Sequence, residues 1–245
     1  MPTPIETARF LPAGDTSLVV EFGDHIDRQT SDRVLALADA LGNQALAGIV
    51  ELVPTFRSLM IHYDPIRLDA RTLEQQVRRR LDGLEMSRHA GRLWHLPCCY
   101  GGEFGPDVAD VACRTGLSPE DVIRIHSGET YHIYALGFLP GYPYMGDVPD
   151  ALSLPRRETP RLKVPMGSVC IAQRMAGIYS LESPGGWHLL GRTPVRLFDI
   201  RREKAVLLAP GDRIRFEVID PETFGRLDDE AAAGTLEIQN QELDT

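Results

Sequence analysis

Apolar positions recur along this chain with two different periods, and the way the periods alternate predicts its elements. Ala8 to Pro12 and Ser17 to Phe22 alternate as strands do and read as a hairpin around Ala13-Gly14-Asp15. Asp27 to Leu41 has helical spacing, with Val34, Leu35, Leu37, Ala38 and Leu41 on one face and Gly42-Asn43 as its stop. Ile49 to Phe56 and Ser58 to Tyr63 read as two further strands. Asp69 to Leu84 reads as a second amphipathic helix, capped by Asp69 and ended near Gly83. This ββαββα order predicts a small α+β sandwich over residues 1–90, with both helices on one face of an antiparallel sheet.

Between Ser87 and Arg92 the pattern breaks, which places a domain boundary there. Beyond it, Arg92 to Tyr100 is strand-like. Asp107 to Arg114 and Pro119 to His126 read as short helices, the second capped by Ser118 with Asp121 three residues on. Short strands then dominate: Tyr131 to Leu136, Val169 to Ala172, Gly177 to Leu181, His188 to Leu190, Val195 to Phe198 and Ile214 to Ile219, the last fed by the turn Ala209-Pro210-Gly211-Asp212. Many short strands joined by Gly/Pro turns predict an all-β barrel or sandwich over 91–226. The tail, 227–245, carries six acidic residues and no basic ones, and reads as a frayed helix or disordered segment.

Within the second part, residues 137–194 hold 8 Gly and 8 Pro in 58 positions. Aromatic and apolar residues are interleaved with them, which favours rigid, shaped loops over disorder. The segments are Gly137-Phe138-Leu139-Pro140-Gly141-Tyr142-Pro143-Tyr144, Pro155 to Arg161, Val164-Pro165-Met166-Gly167-Ser168, Ser183-Pro184-Gly185-Gly186-Trp187 and Gly191-Arg192-Thr193-Pro194. A loop-built surface carrying Arg, Tyr, Ser and Trp is where a binding site is expected.

Charge changes the picture by exclusion. The 26 basic and 35 acidic residues leave a net charge of −9, which argues against non-specific nucleic-acid binding. No apolar run approaches the roughly 20 residues that span a bilayer. The N-terminal residues lack the basic and apolar regions of a secretory leader, so neither membrane nor export is expected. The four cysteines, Cys98, Cys99, Cys113 and Cys170, have no C-x-x-C spacing and read as free thiols of a reducing cytoplasm; no metal site is expected. Only Lys163 and Lys204 are lysines, an imbalance that genomic base composition explains.

No Walker A, G-x-G-x-x-G, H-E-x-x-H or G-x-S-x-G sequence is present. Candidate chemistry therefore rests on the loops. His126, at the end of its helix, is either a capping residue or a proton donor facing the loops. Arg156, Arg157, Arg161 and Lys163 suit a carboxylate or phosphate, or else pair with Glu158 and Asp147. The Gly185-Gly186 turn has the form of an anion-binding nest of backbone N–H groups. Trp187 either caps a pocket or fills core.

Together these motifs resemble the allophanate hydrolase subunit 1 family, also described as the B subunit of bacterial ATP-dependent 5-oxoprolinase and as the sporulation-kinase inhibitor family. Leu11-Pro12-Ala13-Gly14-Asp15, Leu96 to Gly102 with Gly105-Pro106-Asp107-Val108, and Pro210 to Phe216 extend the resemblance from about Ala8 to Phe224. The resemblance implies a cyclophilin-like second domain, a homologous barrel partner (the C subunit, or carboxyltransferase subunit 2) and a third 5-oxoprolinase subunit. It implies ATP with Mg acting in the assembled complex, with no cofactor held by this chain alone, and ring opening of 5-oxoproline to glutamate. Its alternatives are a urea- or allophanate-type carboxyltransferase subunit and a histidine-kinase inhibitor module. On this basis His126, Arg161 and Lys163 are the expected catalytic residues. Pro140, Gly141, Tyr142, Ser168, Tyr179, Gly185, Gly186, Trp187 and Arg192 are the expected substrate-binding residues. One departure stands out: where the family commonly has Gln-Thr before Gly-Ile-Tyr, this chain has Met175-Ala176, which predicts a pocket of altered polarity.

Overall fold

The structure is a computed structural model describing residues 8–43, 46–84 and 91–243. The first residues, read above for a leader, and residues 85–90, where the pattern breaks, lie outside the described residues. The chain divides into two compact units at Ala90/Gly91.

In the first unit, β1 (Arg9–Pro12), β2 (Ser17–Glu21), β3 (Ile49–Pro54) and β4 (Ser58–Tyr63) form an antiparallel sheet in the order β1-β2-β4-β3. Helices α1 (Arg28–Asn43) and α2 (Ala70–Asp82) complete it. The strands alternate: Leu18, Val20, Leu59 and Ile61 are buried against Val34, Leu37, Leu41, Leu73 and Val77 of the helices. Asp69 caps α2 by accepting a hydrogen bond from the Thr72 N–H at 3.0 Å.

The second unit is built around a closed barrel. Its strands are β5 (Arg92–Tyr100), β6 (Thr130–Leu136), β7 (Pro143–Met145), β9 (Ser168–Ala172), β10 (Met175–Ile178), β12 (His188–Arg192) and β13 (Arg213–Ile219), with β8 (Arg161–Val164) and β11 (Ser183–Gly185) forming a separate two-stranded ribbon. The order β12-β9-β10-β7-β6-β13-β5 closes on itself because Gly191 and Arg192 pair with Tyr100 and Cys99. β13 runs parallel to β5 over its whole length, from Arg213↔Leu93 to Ile219↔Cys99. Apolar side chains from every barrel strand, including Leu96, Ile133, Met145, Ile171, Ile178, Leu190 and Ile214, fill the interior. Asp212, just before β13, ties that strand to the start of β5: its carboxylate accepts from the Arg92 N–H at 2.8 Å, the Trp94 indole at 2.9 Å and the Ala209 N–H at 2.9 Å.

Three helices accompany the barrel, so its domain is not all-β: α3 (Val108–Thr115), α4 (Pro119–Gly128) and α5 (Pro221–Ala233). The Ser118 hydroxyl accepts the Asp121 N–H at 3.0 Å, as its spacing predicts. The tail departs from expectation. α5 is capped by Asp220 and closed by Gly234 in the left-handed region. Asn240–Glu242 (β14) then pairs antiparallel with β5. Leu236 and Ile238, overlooked in an acidic segment, pack on the barrel core and hold it there. Val195 to Phe198 also differs: Val195 and Leu197 are buried as a strand would bury them, but only Phe198 makes a bridge, to Val206.

Candidate functional site

Strand alternation gives one sector of the barrel wall two apolar faces. Val169, Ile171, Ala176 and Ile178 point into the barrel core, while Cys170, Ala172 and Leu189 join a separate cluster on the other side. That cluster is floored by aromatics. Tyr142 lies 5.4 Å from Tyr179, 5.0 Å from Tyr144 and 6.2 Å from Trp187, in tilted or edge-on arrangements. Tyr144 lies 6.2 Å from Trp187, and the exposed Phe138 stands edge-on to Tyr142 at 5.5 Å. Close packing explains one of the glycines: a Cβ on Gly185 would meet the Tyr179 hydroxyl at 1.9 Å. The Tyr142 hydroxyl contacts the Cys170 Sγ at 3.6 Å. Burial pushes the Cys170 thiol up to about 12 and the Tyr142 and Tyr179 hydroxyls well above their ordinary values, so all three stay protonated at neutral pH.

Beside this floor lies a buried carboxylate. Gly105 lets its loop press against β12, since a Cβ there would meet the Leu190 carbonyl oxygen at 1.8 Å. Asp107 thereby reaches β12, accepting the Leu189 N–H at 2.7 Å on Oδ2. Arg161 binds both oxygens of Asp107, at 2.6 and 2.9 Å, and Arg157 binds Oδ1 at 2.9 Å. Asp107 is 3% exposed, so two guanidinium groups bracket one buried charge. Arg156, outside this set, lies over the Trp187 ring at 5.7 Å. Burial raises the Tyr144 and Tyr179 hydroxyls; the Arg156 charge opposes this at both, and Arg161 does so at Tyr179. Three cations against one carboxylate make an electropositive rim in an acidic chain. Among the described residues, no three His, Cys, Asp or Glu side chains converge as a metal-holding group.

The predicted residues separate on this map. Tyr142, Tyr179 and Trp187 come together, and Arg161 lies beside them. Gly185 ends β11, and the Gly186 carbonyl accepts the Arg157 N–H at 2.8 Å. Neither glycine takes the positive φ that a nest requires, so the nest is corrected to a strand edge. Gly141, with φ 73°, turns the chain into Tyr142, and Pro140 is exposed at that turn. Ser168 is buried in β9 opposite Arg192. Arg192 donates to the Met166 carbonyl at 2.9 Å and covers Phe224, a packing role. Lys163 is exposed and pairs with Glu182 at 3.0 Å, away from Asp107. Arg157 and Arg161 pair with Asp107 rather than with Glu158 or Asp147.

His126 requires the largest correction. It is fully buried, not facing the loops. Its Nδ1 bonds the Tyr100 hydroxyl at 2.8 Å, its ring packs 5.1 Å from both Tyr131 and Phe216, and its Nε2 has no partner among the described residues. Burial lowers its pKa to about 3, so it is a neutral core residue at physiological pH and not a proton donor. Asp107 was missed because the sequence placed it only as the first residue of a short helix. The Gly-Pro before it was the available signal of a close approach.

The Met175-Ala176 departure also splits. Met175 packs on the aromatic cluster, but Ala176 is fully buried in the barrel core, on the opposite face. Only Met175 is placed to affect a ligand. Ala176→Thr is therefore expected to lower stability by about 1–3 kcal/mol, through overpacking and a buried hydroxyl. Met175→Gln should leave stability nearly unchanged. Urea midpoints of the two variants check this, and equal midpoints would place both residues on one face.

Comparison with known proteins supplies the context. Residues 8–208 match the family described as "Carboxyltransferase domain, subdomain C and D". The chain is 36% identical over 225 residues to the 5-oxoprolinase B subunit of Bacillus subtilis (strain 168), covering 86% of this chain and 92% of that protein. It is 37% identical over 215 residues to the 5-oxoprolinase B subunit of Escherichia coli O157:H7, covering 86% and 96%. Among solved structures, TTHA0988 matches with a TM-score of 0.75 at 40% identity over 83% of this chain, which spans only 40% of that one. The K. lactis urea amidolyase matches with a TM-score of 0.79 at 20% identity over 98% of this chain and 17% of that one, a likeness of fold. A match across most of the chain, with identity sustained over nearly the full length of two bacterial relatives, shows that this chain belongs to the family of the carboxyltransferase domain, subdomains C and D.

Proposed function

We propose that this chain is the B subunit of a cytoplasmic, ATP-dependent 5-oxoprolinase and that its barrel is of the cyclophilin-like type. The observation that carries the reading is the 36% identity to the Bacillus subtilis 5-oxoprolinase B subunit, extending over 92% of that protein. The chain acts as a non-autonomous component, together with a homologous barrel protein, the C subunit, and a third polypeptide. ATP, with its magnesium, is held by the assembly and supplies the activation that an inert lactam carbonyl needs. This chain contributes the partly exposed ring of Tyr144, backed by the buried Tyr142, Tyr179 and Trp187, which shields one side of a small ring from water. Arg161, oriented by Asp107, places fixed positive charge beside that floor, where it stabilises negative charge developing on the substrate. Lys163 and His126 have no part in this chemistry.

The test is co-purification with the products of neighbouring genes, followed by a 5-oxoproline-dependent ATPase assay. The assembled complex is expected to turn over and this chain alone is not. Turnover by the purified chain, free of partners, would overturn the reading of a non-autonomous component. Activity with urea in place of 5-oxoproline would move the assignment to a carboxyltransferase.

A further inference from the structure

Four cations cluster in the segment from Arg156 to Lys163, and the structure distinguishes them by what they hold. Arg157 and Arg161 bind Asp107, and Lys163 binds Glu182. Arg156 alone of the four has no carboxylate partner among the described residues, and its guanidinium lies over the Trp187 ring at 5.7 Å. Its backbone is fixed on both sides. The Pro155 carbonyl accepts a hydrogen bond from the ring Nε2 of buried His188 at 2.9 Å, and the Arg157 N–H donates to the Gly186 carbonyl at 2.8 Å. Pro155 further restricts the approach to Arg156.

We infer that Arg156 is the receptor for the carboxylate of the substrate, binding it at the edge of the Trp187–Tyr144 surface. This inference rests on the 5-oxoprolinase reading and names the group by which its substrate is recognised. The physical case has three parts. A guanidinium presents a planar fork that matches a carboxylate with two parallel hydrogen bonds. A guanidinium lying over an indole keeps its N–H donors available to a second partner. A side chain whose backbone and ring platform are already fixed loses less freedom when it binds, so more of the interaction appears as affinity. Arg157 and Arg161 reinforce the local field while each is held by Asp107. A small cyclic amide bearing one carboxylate fits this arrangement: its charge meets Arg156 and its ring lies beside the partly exposed Tyr144. The same lactam without the carboxylate does not.

The fluorescence of Trp187 provides a readout independent of turnover. The full chain is titrated with 5-oxoproline and, in parallel, with 2-pyrrolidinone, the same ring without its carboxylate. A saturable change is expected with 5-oxoproline only. It should be lost in Trp187→Phe, lost in Arg156→Ala and weakened in Arg156→Lys, which keeps the charge but not the fork. No saturable change in the wild-type chain, an equal change with 2-pyrrolidinone, or an unaltered response in Arg156→Ala would overturn the inference. Steady-state kinetics of the assembled complex then decide the reading beneath it. An active complex in which Arg156→Ala raises KM for 5-oxoproline at least about tenfold, with kcat within about twofold, joins the two. An inactive wild-type complex beside an intact, Arg156-dependent Trp187 response removes the 5-oxoprolinase assignment and leaves a carboxylate site.

Discussion

Asp107→Ala is expected to destabilise the barrel unit by about 3 kcal/mol, the lower end of the range for breaking a buried ion pair. The carboxylate is 4% exposed at its side chain, while Arg157 and Arg161 keep 29% and 25% of theirs. Removing it leaves two half-buried guanidinium groups repelling each other and the Leu189 N–H without its acceptor. The lower end of the range applies because solvent still reaches both arginines. Asp107→Asn retains an acceptor for Leu189 but not the charge, so it should fall between wild type and alanine. Arg157→Ala leaves the paired Arg161–Asp107 contact and should cost less than Asp107→Ala. Urea unfolding of the three variants measures the order, and an Asp107→Ala midpoint equal to wild type would remove the ion triad from the fold's stability. The same change frees Arg161 to swing, so the assembled complex should lose activity even at temperatures where Asp107→Ala remains folded.

A second large effect is expected from acid. His126 has its pKa lowered to about 3 by burial, against about 6.5 in an unfolded chain. Between those values the unfolded state binds a proton that the folded state excludes. Stability therefore falls as pH falls, and the His126 contribution is complete above about pH 6.5 and lost toward pH 3. The slope is about 1.4 kcal/mol per pH unit across that window, so several kcal/mol depend on one imidazole. His126→Gln, which cannot titrate, should be less stable than wild type at pH 7 but flatter in its pH dependence. Chemical denaturation at about pH 7, 6, 5 and 4 reads the two slopes. Parallel slopes would show that other groups govern the acid limb. In wild type the His126 ring signals should stay those of a neutral imidazole by NMR down to the pH at which the barrel unfolds.

The sequence pattern was most legible where one face of an element is buried and the other is wet. α1, α2, β2 and β4 follow directly from spacing, and Ser118 and Asp69 mark helix starts through their caps. Legibility failed where both faces are covered. β9 is buried at all five positions, so its period carries no face information, and the outward cluster of Cys170 with Tyr142 and Trp187 could not be anticipated. The ribbon strands β8 and β11, of four and three residues, are shorter than a periodicity window and lie among prolines. In the site, the aromatic and arginine residues were legible because they fall within the Gly- and Pro-dense segment 137–194. Asp107 was not, because its partners lie some fifty to eighty residues away and no local pattern encodes them. His126 was misread for the related reason that a helix end seen in sequence looks solvated, whereas here Tyr100, Tyr131 and Phe216 close over it.

The pairing of β5 with β13 sets the order of events during synthesis. The first unit has all four of its strands and both helices in hand once residue 82 has been made. The barrel strand β5 is made next, but its full-length parallel neighbour comprises residues 213–219, about 120 positions later. From the synthesis of β5 until that of β13, the Leu96 and Trp94 side of β5 has no parallel neighbour to close against, and its backbone groups stand open to other strands. Contacts of such sequence separation form slowly, because a long loop must be closed before they are rewarded. A growing chain of this protein thus carries a folded leading part and an unsealed barrel until residues 213–219 have been made. Pauses or truncations between residues 100 and 213 should yield aggregates rather than partial barrels, and a holdase chaperone that shields β5 should raise the yield of folded protein more than one that acts after release.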